Sequence, residues 1–279
     1  MWGSMRKLAI GTALSGALAL AGLAAPAASA AGTPDLKFSG VTVNHGKPVV
    51  VGAAKTVTVP VSYTLTRPKN LVIDQDKTVQ AVMLYRGTLK SMDNDLGPDT
   101  PPVCKTTVTT DTTVTESCTE KIAADPGMSL YEGTDAGTWK AAGIYVHSDE
   151  SVSDDYLHSE NEVTAWGNLA SVKVLRAARL TTDAAPEPVV KGRTLTVKGK
   201  LTRADWATGR YTGYLNQKVV LQFKPDGGSY ANVKTITSGT GGALSTTVKA
   251  TRSGGYRFVF AGTATTAAKT AVGDHVTVK

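Results

Sequence analysis

The sequence predicts an all-β protein, two tandem antiparallel β-sandwiches that follow a cleaved export signal. Three observations carry that expectation. Val and Thr alternate in short runs, which is the period of a strand buried on one face. Gly, Pro and Asp clusters separate the runs as hairpin turns do. Apolar spacing at the helical period is nearly absent.

The elements follow in chain order. Arg6 and Lys7 open a positive start, residues 8–25 are apolar and rich in Ala, Leu and Gly, and Ala28-Ser29-Ala30 is a small-residue cleavage site. The apolar segment is short, Gly-broken and followed by small residues rather than a basic stop, so the expectation is cleavage after Ala30 and secretion. The remaining chain is long enough for two cores, and two domains are expected, residues 31–175 and residues 176–279. In the first, 55–66 (KTVTVPVSYTLT) alternates cleanly, 78–86 and 141–147 read as core strands, and 169–175 closes the set. In the second, strands are expected at 193–202, 218–224, 233–237, 243–250, 256–261 and 275–279. Asp226-Gly227-Gly228, residues 239–242 and Gly254-Gly255 supply turns. The boundary falls at 176–178, with no flexible Gly/Ser linker.

Both cysteines, Cys104 and Cys118, lie in the exported part, where an oxidising compartment favours a disulfide. The segment between them is nearly symmetric about Asp111 and rich in β-formers. Folding it there sets Cys104 opposite Cys118, and a bridge closing a loop of this size is worth about 3 kcal/mol on the chain-entropy model.

Within the second domain, 254–258 (GGYRF) resembles the tyrosine corner of immunoglobulin-like sandwiches, with Phe258 where antibody domains carry a cysteine. The competing reading makes Tyr256 one more strand aromatic. The chain as a whole resembles secreted proteins of Streptomyces and related actinobacteria built from tandem immunoglobulin-like sandwiches, mostly uncharacterised and sometimes labelled calcium-binding. The resembling segments are 41–51 (VTVNHGKPVVV), 85–89 (YRGTL), 138–142 (TWKAA), 185–189 (APEPV), 201–206 (LTRADW) and 249–262. The resemblance implies fold and export; it carries no established chemistry.

Charge divides the chain. Residues 31–190 hold 14 Lys/Arg against 20 Asp/Glu, a net of −6, whereas residues 191–279 hold 14 against 3, a net of +11. A basic sandwich outside the cell points to anionic cell-wall polymer or a surface glycan as partner. Nucleic acid is set aside because no recognition helix or ribonucleoprotein motif occurs, and membrane is set aside after signal cleavage. Trp206, Tyr211, Tyr214 and Tyr230 are the candidate sugar-stacking face; the competing reading makes them ordinary loop and edge aromatics.

Asp93, Asp95 and Asp99 are the candidate Ca²⁺ ligands, because Asp and Asn alternate through DNDLGPD around a Gly bend and Ca²⁺ requires several oxygens from a tight loop. No other cofactor is expected. The sequence lacks the EF-hand carboxylates at the fifth and twelfth loop positions, which leaves an Asx turn as the alternative. A second polar cluster, His147 to Glu162, matches no ligand spacing. His45, His147, His158 and His275 are scattered, and the mature chain has no Gly-x-Ser-x-Gly elbow. The reading is therefore a noncatalytic surface-interaction module. A calcium-binding structural protein and an unrecognised secreted hydrolase with a carboxylate pair, a feature defined by spatial separation, are the alternatives.

Overall fold

The computed structural model describes residues 34–74, 77–90, 92–147 and 162–279, so the export signal expected at residues 1–30 lies outside the described residues. Among the described residues the regular structure is strands and three single 3₁₀ turns. No helix there is long and apolar enough to cross a membrane.

The chain divides into two compact units. The first comprises the segment ending at Pro48 with Thr58–Ala124 and Thr138–Val172; the second comprises Val49–Val57, Asp125–Gly137 and Lys173–Lys279. Two short segments that precede the expected 175/176 boundary thus cluster with the C-terminal unit.

The strands of the first half are β1 (Lys37–Val43), β2 (Val49–Val51), β3 (Val57–Pro68), β4 (Thr78–Gly87), β5 (Met92–Leu96), β6 (Val103–Thr109), β7 (Thr113–Ala124), β8 (Gly137–His147) and β9 (Glu162–Arg176). One sheet of the first unit runs β1-β3-β7-β6 and the other runs β9-β8-β4-β5. In immunoglobulin lettering these are A-B-E-D and G-F-C-C′, so strand order alone makes the unit immunoglobulin-like. β2 belongs to the second unit and pairs in parallel with the last residues of β9, Val49 facing Val174.

Alternation builds the core of this unit. In β3 every second residue, Val59, Val61, Tyr63 and Leu65, is buried. β7 buries Val114, Glu116, Cys118, Glu120 and Ile122 in the same rhythm. Antibody domains bridge the second and sixth strands with a disulfide; here β3 and β8 contribute Leu65 and Trp139, both fully buried. Gly143 is required because a Cβ there would overlap the Phe38 ring. That ring packs 5.7 Å from Tyr63 and 5.5 Å from Trp166.

The C-terminal strands are β10 (Ala178–Leu180), β11 (Asp183–Ala185), β12 (Thr194–Asp205), β13 (Arg210–Gly213), β14 (Lys218–Pro225), β15 (Ala231–Thr237), β16 (Ala243–Lys249), β17 (Gly254–Phe260), β18 (Lys269–Thr270) and β19 (Asp274–Val276). β12 is the spine of one sheet, with β10 and β11 along one edge and β13 and β16 along the other. The facing sheet runs β15-β14-β17, with β18 and β19 both on β17. This is again A-B-E against C′-C-F-G. Leu195, Val197, Leu201, Val219, Leu221, Phe258 and Phe260 fill the space between the sheets. Tyr256 is buried with its ring 4.6 Å from Phe223, and Phe258 occupies the core as its cysteine-like position predicts. A strand is present at each expected place, the last, expected at 275–279, ending at Val276. The short strands β1, β5, β10, β11, β13 and β18 were not anticipated, because two to seven residues carry too little alternation to stand out.

Candidate functional site

Arginine meets tyrosine three times in the C-terminal unit. Arg179 lies opposite Thr202, and Tyr211 lies opposite Ala204. Those two β12 positions are two residues apart, which puts Arg179 and Tyr211 on one face of the sheet. The guanidinium carbon stands 3.6 Å from the Tyr211 ring centre. Arg203, the residue after Thr202, stands 4.2 Å from the Tyr214 ring. Burial pushes the Tyr214 hydroxyl up, but hydrogen bonding with Thr263 and Thr266 and the Arg203 charge outweigh it and leave its pKa lowered.

The third pair sits on the outer face of the β15-β14-β17 sheet. Val219, Leu221, Tyr256, Phe258 and Phe260 point inward, so Gln222 and Lys224 of β14 and Arg257 of β17 point outward. Asn232, Gln222 and Arg257 are direct cross-strand neighbours. Arg257 Nε donates to Gln222 Oε1 at 2.9 Å, and Gln222 Nε2 donates to Asn232 Oδ1 at 2.9 Å. The Arg257 guanidinium also stacks 3.6 Å from the Tyr230 ring centre, and the Lys224 ammonium lies 5.9 Å from the same ring. Tyr230 reaches this position because Gly273 has no side chain; a Cβ there would collide with the phenol oxygen. A guanidinium stacked on a ring loses little further rotamer freedom when it captures an anion, and the stack itself is worth about 0.5–1 kcal/mol at an exposed site.

Of the aromatics read as a sugar-stacking face, Trp206 requires correction. It is 1% exposed, its Nε1 donates to Gly52 O at 3.0 Å, and the Arg176 guanidinium lies 5.5 Å from its ring. It is a core residue of the C-terminal unit, since an indole at the end of β12 is worth more as buried area than as surface. Burial lowers the Arg176 pKa, and the Arg203 charge adds to that shift. Tyr211, Tyr214 and Tyr230 are half-buried, and each has an arginine against its ring.

The cysteine expectation holds. Cys104 and Cys118 are bonded, directly opposed in β6 and β7, with Cα atoms 4.1 Å apart. A disulfide belongs to an oxidising environment.

The segment expected to form a calcium loop is different in shape. Asp93, Asn94 and Asp95 lie in β5, an extended strand paired with β4, where Asp95 faces Tyr85. Asp93 is exposed, Asp95 is half-buried with its pKa raised by burial, and the Asp99 N–H donates to Lys121 O at 3.2 Å. The local cause is β pairing: the strand spreads carboxylates that a tight loop would converge. Among the described residues no group of three or more His, Cys, Asp or Glu is arranged to hold a metal. Of the second polar cluster, residues 148–161 lie outside the described residues.

Sequence reading missed the buried acids of the N-terminal unit. Glu116 receives Arg67 in a two-pronged pair at 3.1 and 3.2 Å. Glu120 is 6% exposed, accepts the Val82 N–H at 2.9 Å and the Tyr63 hydroxyl at 3.3 Å, and has its pKa raised by burial to about 8. Each of its two oxygens accepts a hydrogen bond inside the sandwich. The phase of β7, fixed by Val114, Cys118 and Ile122, was the available signal that these acids point inward.

No protein-family model matches the chain, and no curated protein matches it. Among solved structures, a biofilm-associated protein BSP domain is similar at 12% identity and TM-score 0.27, covering 87% of this chain and 52% of that one. The chain thus spans about half the length of that structure. A complex of Dpr2 Ig1-Ig2 with DIP-Theta Ig1-Ig3 is similar at 12% identity and TM-score 0.24, covering 86% of this chain and 98% of that one. Such a likeness carries no functional argument, and the assignment to immunoglobulin-like sandwiches rests on strand order.

Proposed function

We propose that the chain is a secreted, noncatalytic surface-interaction module whose C-terminal unit binds anionic cell-wall polymer or surface glycan. The observation that carries this reading is the charge of residues 191–279, 14 Lys/Arg against 3 Asp/Glu. Three of the unit's arginines are already stacked on tyrosine rings. An excess of that size concentrates anionic chains near the surface, and stacked arginines give them fixed points of attachment. Sedimentation of the full mature chain with purified walls tests it. Binding is expected at low ionic strength and release in concentrated NaCl, because the Debye length falls from about 10 Å at 0.1 M to about 3 Å at 1 M. Absence of binding at low salt, or binding that concentrated salt leaves intact, overturns the proposal.

A further inference from the structure

Resting on that reading, we infer that the outer face of the β15-β14-β17 sheet is a specific site for the carboxylate groups of an acidic polysaccharide, with the Arg257 guanidinium as the fork that grips them. Arg257 is held on two sides. Its Nε is spent on Gln222, and its plane is stacked on Tyr230. Those restraints leave the two Nη groups, the edge that makes paired hydrogen bonds to a carboxylate. Gln222 is itself held by Asn232, so the orientation is set through three strands before any ligand arrives. Gln222, Tyr230 and Asn232 are positioning residues here; Arg257 is the binding residue.

The surroundings decide for a sugar acid. Lys224 adds a second positive charge over the same ring. The other neighbours are neutral: the Asn232 and Gln222 amides suit hydroxyl groups and offer no further charge for a dense polyanion. Of the acids at the margin, Asp226 is paired with His275 at 3.0 Å, His275 lying opposite Gly255 on β17, and Asp274, opposite Tyr256, accepts the Ala184 N–H at 2.6 Å. One carboxylate per fork, flanked by hydroxyls, is the pattern of a uronic acid residue in a chain. General attraction by an excess of lysines would show no such preference.

The test separates the fork from bulk charge. The full mature chain is titrated with polygalacturonate, with polyphosphate and with a neutral glucan, at one low salt concentration. Arg257→Lys keeps the charge and loses the fork, and it is expected to weaken polygalacturonate binding about tenfold. Lys249→Gln, on β16 of the opposite sheet, removes a whole charge and is expected to change binding less than about twofold. Gln222→Leu, which releases Nε, should weaken binding in the same direction as Arg257→Lys; it decides the matter if Arg257→Lys lowers the melting temperature. Unchanged binding in Arg257→Lys and Gln222→Leu, or an equal loss in Lys249→Gln, overturns the site and leaves the charge-driven reading standing. Arg257-dependent binding of polyphosphate equal to that of polygalacturonate overturns the carboxylate assignment. A wild-type chain that binds neither polyanion overturns both this site and the function it rests on.

Discussion

Glu120→Gln is expected to make the protein more stable at pH 8 while leaving it nearly unchanged at pH 5. The carboxyl sits inside the first sandwich, and burial raises its pKa from 4.5 to about 8. The folded state therefore keeps a proton that the unfolded chain releases. The stability this contributes is fully present below about pH 4.5 and is lost as pH rises through about 8. Within that window the loss is on the order of 1 kcal/mol per pH unit, or a few kcal/mol across it. Glutamine copies the protonated acid: its carbonyl accepts the Val82 N–H and its amide donates to the Tyr63 oxygen. Urea unfolding of both proteins at half-unit steps from pH 5 to 8 gives the comparison, and the difference between them cancels the titration of every other group. A wild-type curve falling away from a flatter Glu120→Gln curve is the expected result. Parallel curves, or a variant less stable than wild type at pH 8, would show that Glu120 is ionised in the folded protein and that its burial does not hold a proton on it. Glu120→Ala separates charge from hydrogen bonding, since it strands the buried Val82 N–H and should be about 1–3 kcal/mol less stable than Glu120→Gln at every pH.

The remaining predictions are shorter. Thiol titration of the unfolded, unreduced protein should find no free thiol, and Cys104→Ser should lower stability by about 2–4 kcal/mol, read by urea unfolding, without changing the far-ultraviolet spectrum. Gly143→Ala should cost about 1–3 kcal/mol in the same assay, because the new methyl enters the Phe38 ring; a neutral effect would mean the aromatic cluster repacks freely. Millimolar Ca²⁺ should leave the melting temperature where it is, since Asp93 and Asp95 lie along a strand; a rise with Ca²⁺ that Mg²⁺ does not reproduce would restore the metal site.

What the sequence disclosed and what it withheld follows from the distance between interacting residues. The Cys104–Cys118 pairing was legible because a hairpin fixes its own register: Thr110 and Thr113 close the turn at 2.9 Å, and the cysteines meet even though a bulge between Thr106 and Val108 shifts the pairing by one. The alternation of β3, β12 and β17 was equally local, and with it the core. Asp93, Asn94 and Asp95 have the composition of a turn but lie in a strand, because pairing with β4 overrides composition. β2 was unreadable for another reason, since its parallel partner Val174 lies at the far end of β9. Trp206 reads as a loop aromatic until Gly52, a residue far earlier in the chain, is seen to accept its indole N–H.

The Arg257 row shows where sequence reasoning stops and what replaces it. Alternation in β14 and β17 already tells which residues leave the core: Gln222 and Lys224 on one strand, Arg257 on the other. It cannot tell that the two strands register Gln222 against Arg257 rather than a residue to either side. A slip of two positions would keep every inward residue inward and leave the hydrophobic core satisfied, but it would set Arg257 against Val220 or Lys224 and remove its anchor. Core burial therefore fixes the face and leaves the register of Gln222 against Arg257 to other forces. Two such constraints lie on this face. Gly273 admits the Tyr230 ring, and the ring in turn locates the guanidinium. Gly273→Ala, which leaves every charge and every polar side chain of the row in place, should thus weaken polygalacturonate binding in the manner of Gln222→Leu by displacing the ring on which Arg257 rests.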